Sequence, residues 1–302
     1  MPETPDRRLL LVHAHPDDET INNGATMAKY VDAGAGVTLV TCTAGEMGEV
    51  LVPELAHLAA ERDDALGPHR REELAAAMRI LGVTDYRFLG GFGRFRDSGM
   101  KWHDDGHAIP ADDTHDEAFW NADLTEAADH LVEVLREVRP QVLVTYDQFG
   151  GYGHPDHIQA HRVATYAATL AAVPSYRLDL GDPWEIAKVY WVAMSEERMR
   201  DSLRALREAG DTKTFEGMKP DDDLPPFITP DALISTRIDG SAHVAQKLTA
   251  LAEHRTQVEE DGPFFSGGES SHAFWGEEAY RIVRGVPHPG PEGHETDLFA
   301  GL

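Results

Sequence analysis

Short apolar runs alternate with helical patterns through the first part of the chain, and this alternation constrains the fold more than any other feature. Strands are predicted at 8–13, 37–43, 86–89 and 142–146. Helices are predicted at 22–33, 70–81, 123–138 and 156–172. Gly34 and Gly82 follow two of these helices and are of the residue type that commonly ends one. The pattern indicates an α/β fold with a doubly wound, Rossmann-like, mostly parallel sheet.

Right-handed crossovers between parallel strands favour the strand order 3-2-1-4. In that order the first and fourth strands are neighbours, so their carboxyl ends open onto one crevice, where open α/β sheets bind ligands. The periodic signal weakens after residue 172. Residues 173–302 are therefore expected to form C-terminal additions that pack on a Rossmann-like core at 1–172, within one domain spanning 1–302.

The composition excludes several classes of partner. A formal net charge of −26 argues against nucleic acid and against anionic membrane surfaces, because both would repel the chain. Cys42 is the one cysteine, which excludes an intramolecular disulfide and fits a reducing compartment. No apolar run has the length of a membrane-spanning helix, and no signal peptide is visible. A soluble cytoplasmic protein is expected, with the oligomeric state, a homo-oligomer included, left open.

Two polar clusters follow the first and fourth predicted strands: HAHPDDE at 13–19 and GYGHPDHIQAH at 151–161. His15 and Asp18 lie three residues apart on a turn that enters a helix, and His157 comes from the second cluster. Two imidazoles and one carboxylate, with positions left for water and substrate, form the donor set of a catalytic zinc site. Iron(II) accepts the same set. The clusters therefore predict one divalent metal site, with zinc as the default and iron(II) as the alternative.

Hydrolysis of an amide also needs a base for the water and a donor for the developing oxyanion. Asp17 is adjacent to a predicted ligand and is expected to face the water. Tyr152 and His154 lie just before His157 and offer a hydrogen-bond donor and a general acid. Asp156 is expected to orient His154 or to hold its imidazolium form and so raise its pKa.

These motifs make the chain similar to the zinc-dependent N-acetylglucosaminyl deacetylases of the LmbE and PIG-L type, and within that superfamily to the enzymes of the mycothiol pathway. The stretches that carry the resemblance are HAHPDDE, GHPDH, DDETINNGATMAKY, TCTAGEMGEV, GRFRDSGM, TYDQFGGYGHPDH, HRTQV and ETDLFAGL. The likeness runs over nearly the whole chain, is clearest through His161 and is thinnest between residues 175 and 239.

The resemblance implies the same three zinc ligands as the spacing does, and it implies that Asp17 is the general base. It also implies that His154 acts as an acid or an electrostatic stabiliser with support from Asp156, and that Tyr152 steadies the oxyanion. The family's sugar- and inositol-contacting positions correspond to Glu49, Arg70, Asp97 and Met100.

The activity implied by the resemblance is hydrolysis of the acetamido group of an N-acetylglucosaminyl-inositol, with release of acetate. Three alternatives stay open: an amidase for mycothiol S-conjugates, a deacetylase of another small molecule containing N-acetylglucosamine, and a non-catalytic, metal-dependent sugar-binding protein. An intact base and acid at Asp17 and His154 weigh against the last, because a binder needs neither. The turn after the first strand has no G-x-G-x-x-G pattern, which disfavours a nicotinamide dehydrogenase.

Overall fold

Helices cover both faces of a central sheet in the computed structural model, which describes residues 5–104, 106–208, 210–225, 227–259, 262, 264–265 and 274–302. The strands are β1 Arg8–His13, β2 Gly36–Thr41, β3 Asp85–Phe88, β4 Met100–Trp102, β5 Ala108–Pro110, β6 Val142–Thr145, β7 Lys188–Ser195, β8 Ile228–Thr229, β9 Thr236–Asp239 and β10 Glu277–Arg284. The helices are α1 Asp18–Asp32, α2 Leu66–Leu81, α3 Leu124–Val138, α4 Gly150–Gly153, α5 Pro155–Leu170, α6 Glu196–Glu208 and α7 Val244–Leu251.

The central sheet is mostly parallel, so the predicted α/β class is confirmed. It runs in the order β3-β2-β1-β6-β7-β10-β9, with β8 beside β7. The pairings from β3 through β7 are parallel, whereas β10 is antiparallel to both of its neighbours. Strands β1 and β6 are adjacent, with Leu9 opposite Val142 and Leu11 opposite Val144. The chain segments that follow β1 and β6 therefore emerge side by side.

Side chains alternate along β1 and fill two apolar layers. Leu10 and Val12 pack with α3 and α5 on one face of the sheet. Leu9 and Leu11 pack with α1, α2 and α7 on the other. Strand β1 is thus buried on both faces, as a central parallel strand should be, and it gives a fixed base to the turn that follows it. Among the described residues, no helix has both the length and the apolar character that crossing a bilayer would require.

Two helices begin one turn earlier than their apolar patterns predict. Helix α1 begins at Asp18 instead of residue 22, and α2 begins at Leu66 instead of residue 70. The first turn of α1 is mostly polar and that of α2 contains Gly67 and Pro68, so neither turn shows the apolar period. The segment between β3 and α3, where no strand is predicted, contains the hairpin of β4 and β5. Strands of three residues are too short to show a sequence alternation.

A buried ion pair ties the C-terminal tail to the sheet. Glu295 accepts hydrogen bonds from Lys188 Nζ at 2.5 Å and from the hydroxyls of Tyr190 and Thr236, each at 2.8 Å. The side chains of Lys188 and Glu295 are almost wholly buried. The tail beyond β10 is therefore fixed against β7 and β9.

Replacing Lys188 with methionine is expected to lower the free energy of unfolding by about 3–5 kcal/mol, because Glu295 would be buried without a cation. The double variant Lys188→Met/Glu295→Gln is expected to recover part of this loss. Burial opposes ionisation, but the Lys188 ammonium holds the pKa of Glu295 below its ordinary value. The stabilisation is thus present above the ordinary glutamate pKa and disappears as the pH falls through the lower folded value. Denaturant unfolding measures these free energies. If Lys188→Met were as stable as the wild type, the expected loss would be contradicted.

Candidate active site

The three predicted metal ligands meet in the crevice between β1 and β6. His15 lies on the turn after β1, Asp18 begins α1, and His157 lies in the first turn of α5. Asp18 Oδ2 is 3.3 Å from His15 Nδ1 and 3.4 Å from His157 Nε2. All three side chains are buried. His157 lies 139 positions after Asp18 in the sequence. It joins His15 and Asp18 in one donor set because the strands that precede the two segments are neighbours.

This donor set fits a divalent metal ion. His157 Nε2 is buried without a hydrogen-bond partner, while its Nδ1 lies 3.2 Å from the Gly150 carbonyl. A hydrogen bond from Nδ1–H to a carbonyl leaves Nε2 unprotonated and ready to bind a metal. The Tyr146 ring stacks on the His157 ring with centroids 4.3 Å apart and holds its orientation. Nitrogens of His15, His154 and His157 also lie within 4.8 Å of one another.

The Asp156 carboxylate supports His15, whereas Asp156 contacts His154 through its backbone N–H. Asp156 Oδ2 lies 3.2 Å from His15 Nε2, and the Ser98 N–H donates to the same oxygen at 2.9 Å. The Ser98 hydroxyl donates to Asp156 Oδ1. A carboxylate on the second nitrogen of a metal-binding histidine fixes the ring and its tautomer. Sequence reasoning missed Ser98, whose only signal is its place in GRFRDSGM.

His154 lies between α4 and α5, with its ring beside the rings of His15 and His157. It caps the N-terminus of α5, where its Nδ1 accepts the Asp156 N–H at 3.1 Å. Because Nδ1 is the acceptor, the hydrogen-bond pattern assigns the ring proton to Nε2. Burial, with the charges of neighbouring histidines, lowers the pKa of His154 to about 2. The prediction that Asp156 raises this pKa is therefore wrong.

Asp17 lies on the turn between β1 and α1, next to the predicted ligand Asp18, in an unusual backbone conformation. Its φ is 119° and its ψ is −38°, a region that residues with a side chain rarely occupy. The side chain keeps 16% of its surface exposed, and Arg70 Nη2 donates to Oδ2 at 3.1 Å. Burial raises the pKa of Asp17 to about 6, against the opposing charge of Arg70. A carboxylate of this kind at the rim of a metal set suits a general base.

The four predicted sugar-contacting residues all line one cleft of about 690 Å³ that opens from the metal set. Glu49 is exposed there, and Met100 is half-buried on β4. Asp97 is buried, and its oxygens accept the N–H groups of Gly99 at 2.9 Å and Met47 at 3.2 Å. These backbone bonds fix the Asp97 carboxylate at the wall of the cleft.

Arg70 is the most constrained of the four. Its side chain is buried and donates to the carbonyls of Pro16 and Gly45 as well as to the Asp17 carboxylate. Its Nε is buried without a hydrogen-bond partner. Arg70 therefore fixes the orientation of Asp17 in addition to lining the cleft.

Tyr152 reaches the metal set from the short helix α4. Its ring lies 5.1 Å from the His157 ring and 5.8 Å from the Trp102 ring, centroid to centroid. Burial and the nearby carboxylates raise the pKa of Tyr152, so its hydroxyl keeps the proton and stays a donor. A Cβ at Gly153 would lie 2.6 Å from the Ala108 carbonyl oxygen, at a φ of +97°. Glycine at this position lets α4 approach β5 closely enough to place Tyr152 in the cleft.

Sequence reasoning missed the opposite wall of the cleft. This wall comes from the C-terminal region, where the sequence signal is weakest. Its members include Val192, Met194, Arg198, Phe227, Phe274 and Trp275. The HRTQV stretch supplies a further lining residue, Gln257, which donates to the Glu49 carbonyl at 3.1 Å.

Just over half of the chain matches a known protein family. The sequence model of the PIG-L family, described as GlcNAc-PI de-N-acetylase, matches residues 10–168. The chain belongs to the PIG-L family. The matched range contains both polar clusters, so the resemblance inferred from the motifs is confirmed.

Two relatives of this PIG-L family member match it over all or nearly all of their lengths. A protein of Nocardioides sp. is 69% identical over 299 residues, which is 98% of this chain and 99% of the relative. A protein of Kribbella flavida is 63% identical over 303 residues, which is 100% of each. Both are named 1D-myo-inositol 2-acetamido-2-deoxy-alpha-D-glucopyranoside deacetylase.

Among solved structures, the fold is similar to that of N,N'-diacetylchitobiose deacetylase from Pyrococcus horikoshii. The TM-score is 0.60, the sequences are 20% identical, and the match covers 92% of this chain and 84% of the other. At this identity the likeness concerns the fold alone. It includes the C-terminal region, which lies beyond the range of the family match.

Proposed function

We propose that this protein is a metal-dependent deacetylase that hydrolyses the acetamido group of 1D-myo-inositol 2-acetamido-2-deoxy-α-D-glucopyranoside to give the free amine and acetate. The observation that carries the proposal is the meeting of three metal-binding side chains with Asp17 in one cleft. The substrate is proposed because relatives that match over the whole chain bear this name.

The ion is proposed to be zinc, held by His15, Asp18 and His157. When bound, zinc polarises the acetamido carbonyl and lowers the pKa of a coordinated water. Iron(II) accepts the same donors, so metal analysis of protein purified without added metal distinguishes the two. Asp156 and the Gly150 carbonyl hold the two imidazoles in the tautomers that ligation requires.

One side chain of the protein transfers protons in this reaction, and two others donate hydrogen bonds. Asp17 takes the proton of the attacking water, with its carboxylate oriented by Arg70. The Tyr152 hydroxyl donates a hydrogen bond to the oxyanion that develops from the carbonyl. His154, neutral and protonated on Nε2, donates a second hydrogen bond to the reacting group. The proton held by Asp17 passes to the departing nitrogen as the carbon–nitrogen bond breaks.

The cleft wall is proposed to recognise a polyol. Glu49 and Asp97 accept hydrogen bonds from sugar and inositol hydroxyls, because ionised carboxylates only accept. Met100 packs against the ring carbons, and Arg70 contacts the substrate from the cleft wall beside Asp17. We also propose that residues 1–302 form one domain, with 173–302 completing the cleft that the core begins, and that the enzyme is cytoplasmic, as its single buried cysteine suits.

An assay of acetate and primary-amine release tests this function. The purified protein is incubated with the acetamido compound, and equal amounts of both products are expected. In competition with a mycothiol S-conjugate, the acetamido compound is expected to have the higher kcat/KM. Faster cleavage of the conjugate would identify an amidase instead, and binding without acetate release would identify a sugar-binding protein.

A further inference from the structure

A buried side-chain pair outside the metal set contacts the backbone of Asp17. Glu19 Oε2 accepts the Asp17 N–H at 2.9 Å, and Glu19 Oε1 lies 3.1 Å from His254 Nε2. Both Glu19 and His254 have 0% of their surface exposed. Neither can touch the substrate, and no step proposed above uses them.

The backbone of Asp17 needs external support to keep its conformation. A non-glycine residue at a φ of 119° is strained, at a cost of about 1–3 kcal/mol, and persists only where its surroundings fix it. The Asp17 carbonyl accepts the N–H groups of Thr20 and Ile21 at 3.0 and 2.9 Å, as the start of α1 requires. The bond from Asp17 N–H to Glu19 fixes the other side of the same residue. Relaxation to an ordinary φ would break this bond and redirect the Asp17 side chain.

The 254–258 segment, HRTQV, anchors this support to the rest of the protein. Thr256 donates to the two Glu73 carboxylate oxygens, from its N–H at 2.9 Å and from its hydroxyl at 2.7 Å. Glu73 lies on α2 in the turn after Arg70, whose guanidinium contacts the Asp17 carboxylate. The same segment thus braces α1 through His254 and α2 through Thr256. Both helices supply a direct contact to Asp17.

We propose that Glu19 and His254 are positioning residues that hold Asp17 where it can take the proton of the attacking water. The inference rests on the proposed function of Asp17 as the base. It gives the C-terminal extension a part in the reaction that goes beyond lining the cleft. A shift of about 1 Å in a reacting group is enough to cost about 10²-fold in rate, so a residue that touches no substrate can control turnover in this way.

Two amide substitutions at His254 form a matched test. In His254→Gln the amide nitrogen can lie near the position of the imidazole Nε2, so a donor to Glu19 remains. In His254→Asn the amide ends near the position of Nδ1 and does not reach Glu19. We expect the Asn variant to lose about 10- to 100-fold in kcat and the Gln variant to keep most of it. The KM and the bound metal per chain are expected to match the wild type in both.

A third variant controls for loss of stability in α1. The Tyr30 hydroxyl, at the far end of that helix, donates to Asp297 at 2.8 Å and accepts the Leu298 N–H at 2.7 Å. Tyr30→Phe removes buried hydrogen bonds from the same helix and is expected to lower the thermal midpoint with a wild-type kcat. If His254→Asn does not fold, Glu19→Met replaces it, because methionine has a similar length but offers the Asp17 N–H no oxygen acceptor; its kcat is then expected to fall.

The outcomes separate this inference from the function on which it rests. Equal kcat values for the Asn and Gln variants, or losses that appear only in KM or metal content, would overturn the positioning role while the wild type still deacetylates. A wild type that releases no acetate would refute the proposed function, and the inference with it.

Discussion

Replacing Asp17 with asparagine is expected to lower kcat by about 10²- to 10⁴-fold, which is the usual contribution of a general base. Asparagine has nearly the same shape and keeps an oxygen for Arg70, but it cannot take a proton from water. The metal ligands and the cleft wall are unchanged, so KM and metal content should stay close to the wild type. Steady-state kinetics of acetate release, with metal analysis of the same preparation, measures all three quantities.

The matched control is Asp32→Asn, which removes an exposed carboxylate from the other end of α1. It makes the same change in charge without touching the cleft, and its kcat should equal that of the wild type. If Asp17→Asn kept a kcat within tenfold of the wild type, the base would have to lie elsewhere. The strained φ of Asp17 would then have no catalytic explanation.

The sequence predicted the part of the site that depends on local pattern. The two polar clusters follow the apolar runs at β1 and β6, so the class of fold and the meeting of the clusters both follow from sheet topology. Spacing within a turn also places His15 and Asp18 on one side of it. These inferences need no knowledge of distant contacts other than the adjacency of two strands.

The sequence failed where a partner comes from a distant part of the chain. Asp156 is expected to act on His154, yet its carboxylate contacts His15 across the crevice. His154 lies at the helix cap and takes the Asp156 backbone N–H instead. The pair of Glu19 and His254 joins residues 235 positions apart, and no local pattern can show such a contact.

Strand β10 has no clear sequence signal, for a related reason. Strand β10 lies between β7 and β9, but its segment EEAYRIVR shows no clean alternation. It has polar side chains on both faces because they meet partners inside the protein. Glu278, for example, pairs with Lys247 at 2.7 Å. In the sequence alone, the charged residues of such buried pairs cannot be distinguished from surface residues.

Replacing His157 with alanine should reduce turnover through loss of the metal, whereas Asp17→Asn should reduce turnover with the metal still bound. We expect metal affinity to fall by more than about 10²-fold, because removing a residue that only supports a ligand already costs about 10- to 100-fold. Turnover should fall with the metal, and added zinc should not restore it at concentrations that saturate the wild type. Competition with a chromogenic chelator measures the affinity independently of activity.

A comparison of His157→Ala with Asp97→Asn tests which set of side chains holds the ion. A second group, His15, Asp97 and Asp156, has ligand atoms within 4.8 Å of one another. Its carboxylate oxygens already accept hydrogen bonds from Ser98, Gly99 and Met47, whereas His157 Nε2 is buried without such a partner. The ion should therefore prefer the set that contains His157. If His157→Ala kept wild-type affinity while Asp97→Asn lost it, the ion would be held by the second group, and the mechanism built on Asp18 and His157 would have to be abandoned.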